Sequence, residues 1–272
     1  MDLKSGQPFW PIKNGPLGHY FPLDQDVDCE VAIIGAGVTG ALVAYYLTKE
    51  GIHTIIVDRR EVGTGSTSAT TGLLQYEVDT PLFELMGKVG EKKAVRSYHL
   101  CLEAIYSIER LVHELGDACD FERKESLYLA SCRGDVETLQ REYGVRTRNG
   151  IRLELLGRET LRESFQLDYP AALLSFDAGQ IDAYRLTHTL LRAPVGLVCR
   201  SMIKQKSVIF ELGKTGQNLS LNRESASGRV RLYLPMDTRF RRVSGRISFS
   251  SKALTHWSAL PVSGCRRSSR SL

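Results

Sequence analysis

A six-residue run, Gly35-Ala36-Gly37-Val38-Thr39-Gly40, stands between an apolar stretch and an amphipathic one, and few folds accept three glycines at that place. Before it, Cys29-Glu30-Val31-Ala32-Ile33-Ile34 reads as a buried parallel strand. After it, Val38 to Lys49 carries Ala41, Ala44, Tyr45 and Leu47 at helical spacing, and Gly51 closes the helix. His53-Thr54-Ile55-Ile56-Val57-Asp58 is a second buried strand. The unit is β-α-β, with the glycines at its first turn. Each part has a mechanical reason. Gly35 permits the tight turn, Gly37 lets backbone approach a pyrophosphate, and Gly40 lets helix pack on strand. Free N–H groups and the helix dipole at Ala36, Gly37, Val38 and Thr39 favour an anion. Asp58 lies 18 residues beyond Gly40, close to the ~20 expected of an acid that accepts hydrogen bonds from an adenosine ribose.

The next segment, Gly63-Thr64-Gly65-Ser66-Thr67-Ser68-Ala69-Thr70-Thr71-Gly72-Leu73-Leu74, is small and rich in hydroxyls. Such a loop can wrap a long cofactor and donate to its phosphates and sugar chain. Arg59 and Arg60 suggest a 2′-phosphate pocket, but an acid at the ribose position would repel that phosphate, so Arg59 and Arg60 are read mainly as solvated charges.

Residues 1–28 read as an extended arm rich in Pro, Gly and aromatics, among them Phe9-Trp10-Pro11. Pro81 to Gly116 is helical, with Leu100, Ile105, Ile108, Leu111, Val112 and Leu115 on one face. Phe121–Arg123 and Ser126–Ala130 alternate like paired strands. A polar helix from Asp135 to Tyr143, a strand from Ile151 to Leu155, a helix from Arg158 to Ser164 and a strand from Leu173 to Phe176 follow. Asp182 caps a last helix running from Ala183 to Arg192.

The stretch Val31 to Leu74 resembles the opening of the FAD-dependent D-amino-acid oxidase superfamily, with its glycine oxidase-like, sarcosine oxidase-like and gamma-glutamylputrescine oxidase-like members. The likeness continues more faintly through Asp182-Ala183-Tyr184-Arg185-Leu186 and covers roughly residues 5–192. The resemblance implies an α/β fold: a Rossmann-like FAD-binding domain with an inserted mixed sheet that carries the substrate site. It places Val38 and Thr39 at the pyrophosphate and Asp58 and Arg59 at the adenosine. It places Ser66, Thr67, Thr71, Gly72 and Leu73 along the phosphates and towards the flavin. It implies FAD as cofactor and a small-molecule amine or amino acid as substrate, oxidised by hydride transfer to the flavin. It identifies no catalytic residue.

The 272 residues carry 36 Lys and Arg against 31 Asp and Glu. Residues 1–192 hold 21 of the basic and 28 of the acidic side chains, whereas 193–272 hold 15 and 3, together with 14 serines. Val208–Leu212 and Val230–Leu234 read as strands within this tail, which lacks the pattern of a normal helix. The break is read as a departure from the reading frame near Ala193 to Val198, against a genuine divergent C-terminal domain. A basic Arg/Ser tail can attract RNA, but it lacks the aromatic platform of an RNA module, so no nucleic-acid partner is expected.

No run reaches the ~18 apolar residues of a spanning helix, so no membrane partner is expected. The six scattered cysteines and the absence of an apolar signal core point to the cytoplasm. His99 and His113 are not at metal spacing, and Asp117, Asp120 and Glu122 read as a solvated turn, so no metal is expected. Oligomeric state is not legible. The expected organisation is an arm (1–28), an FAD-binding βαβ unit with its phosphate loop (29–80), part of an inserted substrate domain (81–176), a return helix (177–192) and an atypical tail (193–272). The expected function is FAD-dependent amine or amino-acid oxidation, inactive or nearly so in this chain. A nucleotide-binding remnant or regulatory protein without turnover is the alternative, and an NAD-dependent Rossmann oxidoreductase the third choice.

Overall fold

A computed structural model describes residues 6–20, 27–58 and 60–193, and the backbone of strands at 207–212, 217–222 and 227–232. The βαβ unit forms where the sequence put it. Strand β2 (Val31–Ile34) and β3 (Thr54–Val57) pair in parallel, with Val31 opposite Thr54 and Ile34 opposite Val57. They are joined by helix α2 (Val38–Lys49). The apolar run breaks at Glu30, so the preceding strand β1 (Val27–Cys29) belongs to a different sheet, parallel to strand β10 (Ser227–Leu232). Strands β8 (Ser207–Leu212) and β9 (Gln217–Asn222) complete that sheet as an antiparallel meander.

The inserted sheet is built around β7 (Ala171–Gln180), a ten-residue strand almost buried throughout. Strand β5 (Glu122–Leu129) runs antiparallel to it, with an irregularity between Lys124 and Ser126. The two short runs expected to pair with each other are thus one bulged strand, because β7 supplies the partner for both. Strands β4 (Leu73–Leu74) and β6 (Leu153–Gly157) also pair with β7. Among the described residues β4, β5 and β6 each run antiparallel to β7.

The helical stretch divides at Gly90 into α3 (Leu82–Val89) and α4 (Glu91–Leu115). At ~1.5 Å per residue the 25 residues of α4 span about 37 Å. That length lets one helix serve two cores. Its Ala94, Tyr98 and Ile105 pack with Tyr76, Leu82, Leu139 and Leu173 under the inserted sheet. Its Leu111 and Val112 pack with Ala41, Ala44, Tyr45 and Ile56 of the βαβ unit. Leu100, expected on the buried face, points outward. Helix α7 (Ala183–Arg192) completes the second of these cores through Leu186, Leu190 and Leu191. Asp182 caps it as expected, its Oδ1 accepting from the Arg185 amide at 2.9 Å.

A charged network unseen in the sequence ties the inserted domain together. Helix α5 (Val136–Arg148) buries both Glu142 and Arg146. Arg146 Nε donates to Glu142 Oε1 at 2.6 Å, and its Nη1 lies 3.4 Å from Glu77 Oε1 and from the Tyr76 hydroxyl. The Glu142 carboxylate also accepts from the amides of Leu82 and Phe83 at 2.8 and 3.1 Å. It therefore caps α3 from a neighbouring helix, which Pro81 at the N-cap cannot do. Removing one partner leaves an uncompensated buried charge. Arg146→Met is expected to lower stability by about 3–5 kcal/mol, read from the urea midpoint; a shift below about 1 kcal/mol would show that Glu142 finds other donors.

Candidate dinucleotide site

The site begins where β2 turns into α2. Gly35 has φ +111°, outside the range of ordinary side chains, and its N–H donates to Val57 O at 2.7 Å. A Cβ on Gly40 would stand 2.0 Å from the Gly35 carbonyl oxygen, so helix and strand touch through bare backbone. Gly37 is the N-cap of α2 and has no side chain to cap it. The start of the helix is thus left for an external acceptor. Two side chains from elsewhere reach these amides. Asp58 Oδ2 accepts from Ala36 N–H at 2.7 Å, and Thr67 Oγ1 accepts from Val38 N–H at 3.0 Å. Asp58 Oδ1 accepts from the Arg60 amide at 2.9 Å. Asp58 therefore fixes its own loop through both carboxylate oxygens.

The hydroxyl-rich loop is ordered by hydrogen bonds of its own. Ser66–Ala69 forms a 3₁₀ turn that buries Thr67 and Ser68. Ser68 Oγ donates to Gly65 O at 2.8 Å, and Gly63 N–H donates to Ala36 O at 2.9 Å, tying loop to glycine turn. Gly35, Ala36, Gly37, Val38, Gly40, Asp58 and Thr67 are brought together. Thr39 and Ser66 lie at their exposed edge, and Thr71, Gly72 and Leu73 follow as the chain leaves for the inserted sheet. Arg59 lies outside the described residues.

Bare backbone at the turn, a helix start with no side chain at its N-cap and the buried Thr67 hydroxyl fit the pyrophosphate of FAD, with the Ala36 and Val38 amides already bonded to Asp58 and Thr67. Asp58, at the end of β3, fits the adenosine side. Among the described residues, no group of three or more His, Cys, Asp or Glu side chains is placed to hold a metal ion. No helix among them is long and apolar enough to cross a membrane.

The family description DAO, FAD dependent oxidoreductase, matches residues 30–205. The chain belongs to this family. The match runs past residue 192, where the sequence reading placed its limit, and starts after the arm. Over 166 residues the chain is 24% identical to gamma-glutamylputrescine oxidoreductase of Escherichia coli K12, covering 60% of this chain and 39% of that protein. It is 25% identical over 201 residues to a glycerol 3-phosphate dehydrogenase of Caloramator mitchellensis, covering 72% and 39%. Its fold is that of glycine oxidase from Geobacillus kaustophilus, with a TM-score of 0.58 at 21% identity over 75% of this chain and 53% of that one. The chain thus spans less than half the length of the two curated relatives and about half of the solved structure.

Several residues around the site carried no clear signal in the sequence. Asp117 was read as solvated, yet it accepts from Thr189 Oγ1 and the Cys119 amide at 3.0 Å and lies 2.8 Å from an Arg185 nitrogen. Asp120 pairs with Lys13. His188, on α7, lies against Tyr184, and its Nδ1 is 2.8 Å from the Tyr20 hydroxyl. The only advance hint was the apolar face of α7, whose i+4 spacing from Tyr184 puts His188 on it. Burial, reinforced by the charge of Arg192, lowers its imidazole from the ordinary 6.5 to about 4. Above 6.5 His188 is neutral in both folded and unfolded chains. As pH falls towards 4 the unfolded chain takes up a proton that the fold refuses, so up to about 3 kcal/mol of stability is lost. Urea midpoints measured down this window are expected to fall in the native chain and to fall less in His188→Gln. Equal slopes would show that His188 is not the group responsible.

Proposed function

We propose that the chain holds FAD at the β2–α2 turn and belongs to an oxidoreductase that oxidises a small-molecule amine or amino acid. The observation that carries the cofactor part is the start of α2, whose N-cap Gly37 has no side chain and whose Val38 amide meets the Thr67 hydroxyl brought in by the loop. In this reading the amides after Gly37 hold the pyrophosphate. Asp58 accepts from the ribose while keeping the turn in shape, and Thr67 and Ser66 donate along the phosphates. Thr71, Gly72 and Leu73 approach the ring end. FAD bound here would supply the hydride acceptor for a carbon bearing an amine. The chain's own contribution is to hold and orient the cofactor. The hydroxyl-rich loop supports FAD over NAD, because it lines a path longer than the glycine turn alone.

The amine or amino-acid class is supported by the names of relatives such as gamma-glutamylputrescine oxidoreductase. The domain reading is an arm to residue 28, a βαβ unit and loop to 80, part of a substrate domain to 176, a return helix to 192 and a separate tail. The thiols of Cys101, Cys119 and Cys132, all free, support a cytoplasmic protein. A second reading is a nucleotide-binding remnant or regulatory protein without turnover. Dye reduction over a panel of amines and amino acids separates the two: turnover supports the enzyme reading, and bound flavin without turnover supports the other.

Two substitutions test the site. Gly37→Val sets a branched side chain where a Cβ would already be 3.0 Å from Thr67 Oγ1. It is expected to abolish FAD retention on ultrafiltration; stoichiometric flavin would contradict the assignment. Asp58→Ala is expected to weaken FAD by roughly 1.5–3 kcal/mol, the scale of a charged hydrogen bond. It also frees the Ala36 amide, so thermal stability falls with it. An unchanged dissociation constant would place the ribose elsewhere.

A further inference from the structure

The arm was expected to be extended, but Phe9–Asn14 forms a helix, α1, that docks onto the far end of the hydroxyl-rich loop. Trp10 Nε1–H donates to Thr70 O at 2.7 Å. Asn14 Nδ2–H donates to Asp182 Oδ2 at 2.7 Å, and Lys13 pairs with Asp120. The indole lies directly over Gly72, where a Cβ would be 2.8 Å from Trp10 Cζ2 and 2.4 Å from Ile181 O. Gly72 has φ +72° and is wedged between the two. This contact fixes the backbone of Thr70–Gly72 from the outside. None of the arm falls within the residues that match the family.

Between α1 and the inserted sheet lies a cleft of about 520 Å³, walled by Phe9, Trp10, Thr71, Phe121 and Gln180. That volume lies within the ~300–1,000 Å³ of small-molecule sites, and its flat aromatic walls suit a planar ring with a polar edge; the charged side chains that also line it are already paired, Lys13 with Asp120, Glu122 with Lys124 and Asp182 with the Arg185 amide. Its position follows the order of the site. Asp58 marks one end, the amide pair with Thr67 the middle, and the loop then runs from Thr67 to Thr71 at the mouth of the cleft. A dinucleotide with its adenosine at Asp58 and its pyrophosphate at Val38 has its remaining end on this side.

Resting on the FAD reading above, we propose that the arm helix completes the flavin site: the cleft under α1 receives the isoalloxazine ring, with Trp10 as its wall and as the residue that positions Thr70–Gly72. The arm is then part of the cofactor site, although it precedes the βαβ unit in sequence.

The test compares FAD with ADP, which shares the adenosine and pyrophosphate but lacks the ring, on the full chain. Trp10→Ala is expected to weaken FAD roughly tenfold and to leave ADP unchanged. Trp10→Phe keeps a ring but not the readily oxidised indole, so the flavin emission of bound FAD is expected to rise. If Trp10→Ala does not fold, the emission of Trp10→Phe decides alone. Equal loss of FAD and ADP in Trp10→Ala, no loss of either, or unchanged flavin emission in Trp10→Phe overturns the proposal. A native chain that holds FAD no better than ADP removes the ring cleft and leaves the phosphate site standing. A native chain that holds neither removes both.

Discussion

The contact between Gly40 and the Gly35 carbonyl sets the geometry on which the site depends. With no Cβ at residue 40, α2 starts against the end of β2, and the amides of Ala36 and Val38 meet Asp58 and Thr67 across one short turn. The same approach brings Ala41 and Ala44 onto Ile56 in the core of the βαβ unit. A side chain at residue 40 would separate helix from strand. It would move the amides away from Asp58 and Thr67 and loosen the packing of α7 behind them. Site and core therefore share one constraint, which is why small residues recur along the inner face of α2.

The parts of the fold governed by local chemistry were legible in the sequence. The glycine turn, α2, β3 and the Asp182 cap stand at or within a residue of their expected bounds, because periodicity, capping and turn chemistry act over a few residues. Long-range pairing was not legible. Nothing near Phe121–Ala130 shows that β7 takes both halves as one bulged strand, since the partner lies about fifty residues away. The arm looked extended because Pro8, Pro11 and Gly15 discourage helix, yet Pro11 sits in the first turn, where its missing N–H has no intrahelical partner. In the candidate site, residue types announced the phosphate turn and the ribose acid. That Asp58 also holds the Ala36 amide, and that Trp10 covers Gly72, depends on tertiary docking.

Two cores joined by one helix make the site sensitive to distant packing. Helix α4 spans from the Tyr98 cluster to the Leu111 cluster, and α7 returns beside it. The buried Glu142–Arg146 pair ties α5 to the start of α3 and to Glu77, while Asp182 ties α7 to the arm through Asn14. The loop from Gly63 to Leu74 leaves the first core and enters the second by pairing with β7. A cofactor lying along this loop would bridge both cores, so its binding would lock their relative placement.

Amide hydrogen exchange with and without FAD tests the central claim most directly, because it reads the proposed donors themselves. The account predicts slowed exchange in residues 35–40 and 66–72 when FAD is present. Unchanged exchange in both segments, with protection gained elsewhere, would contradict it.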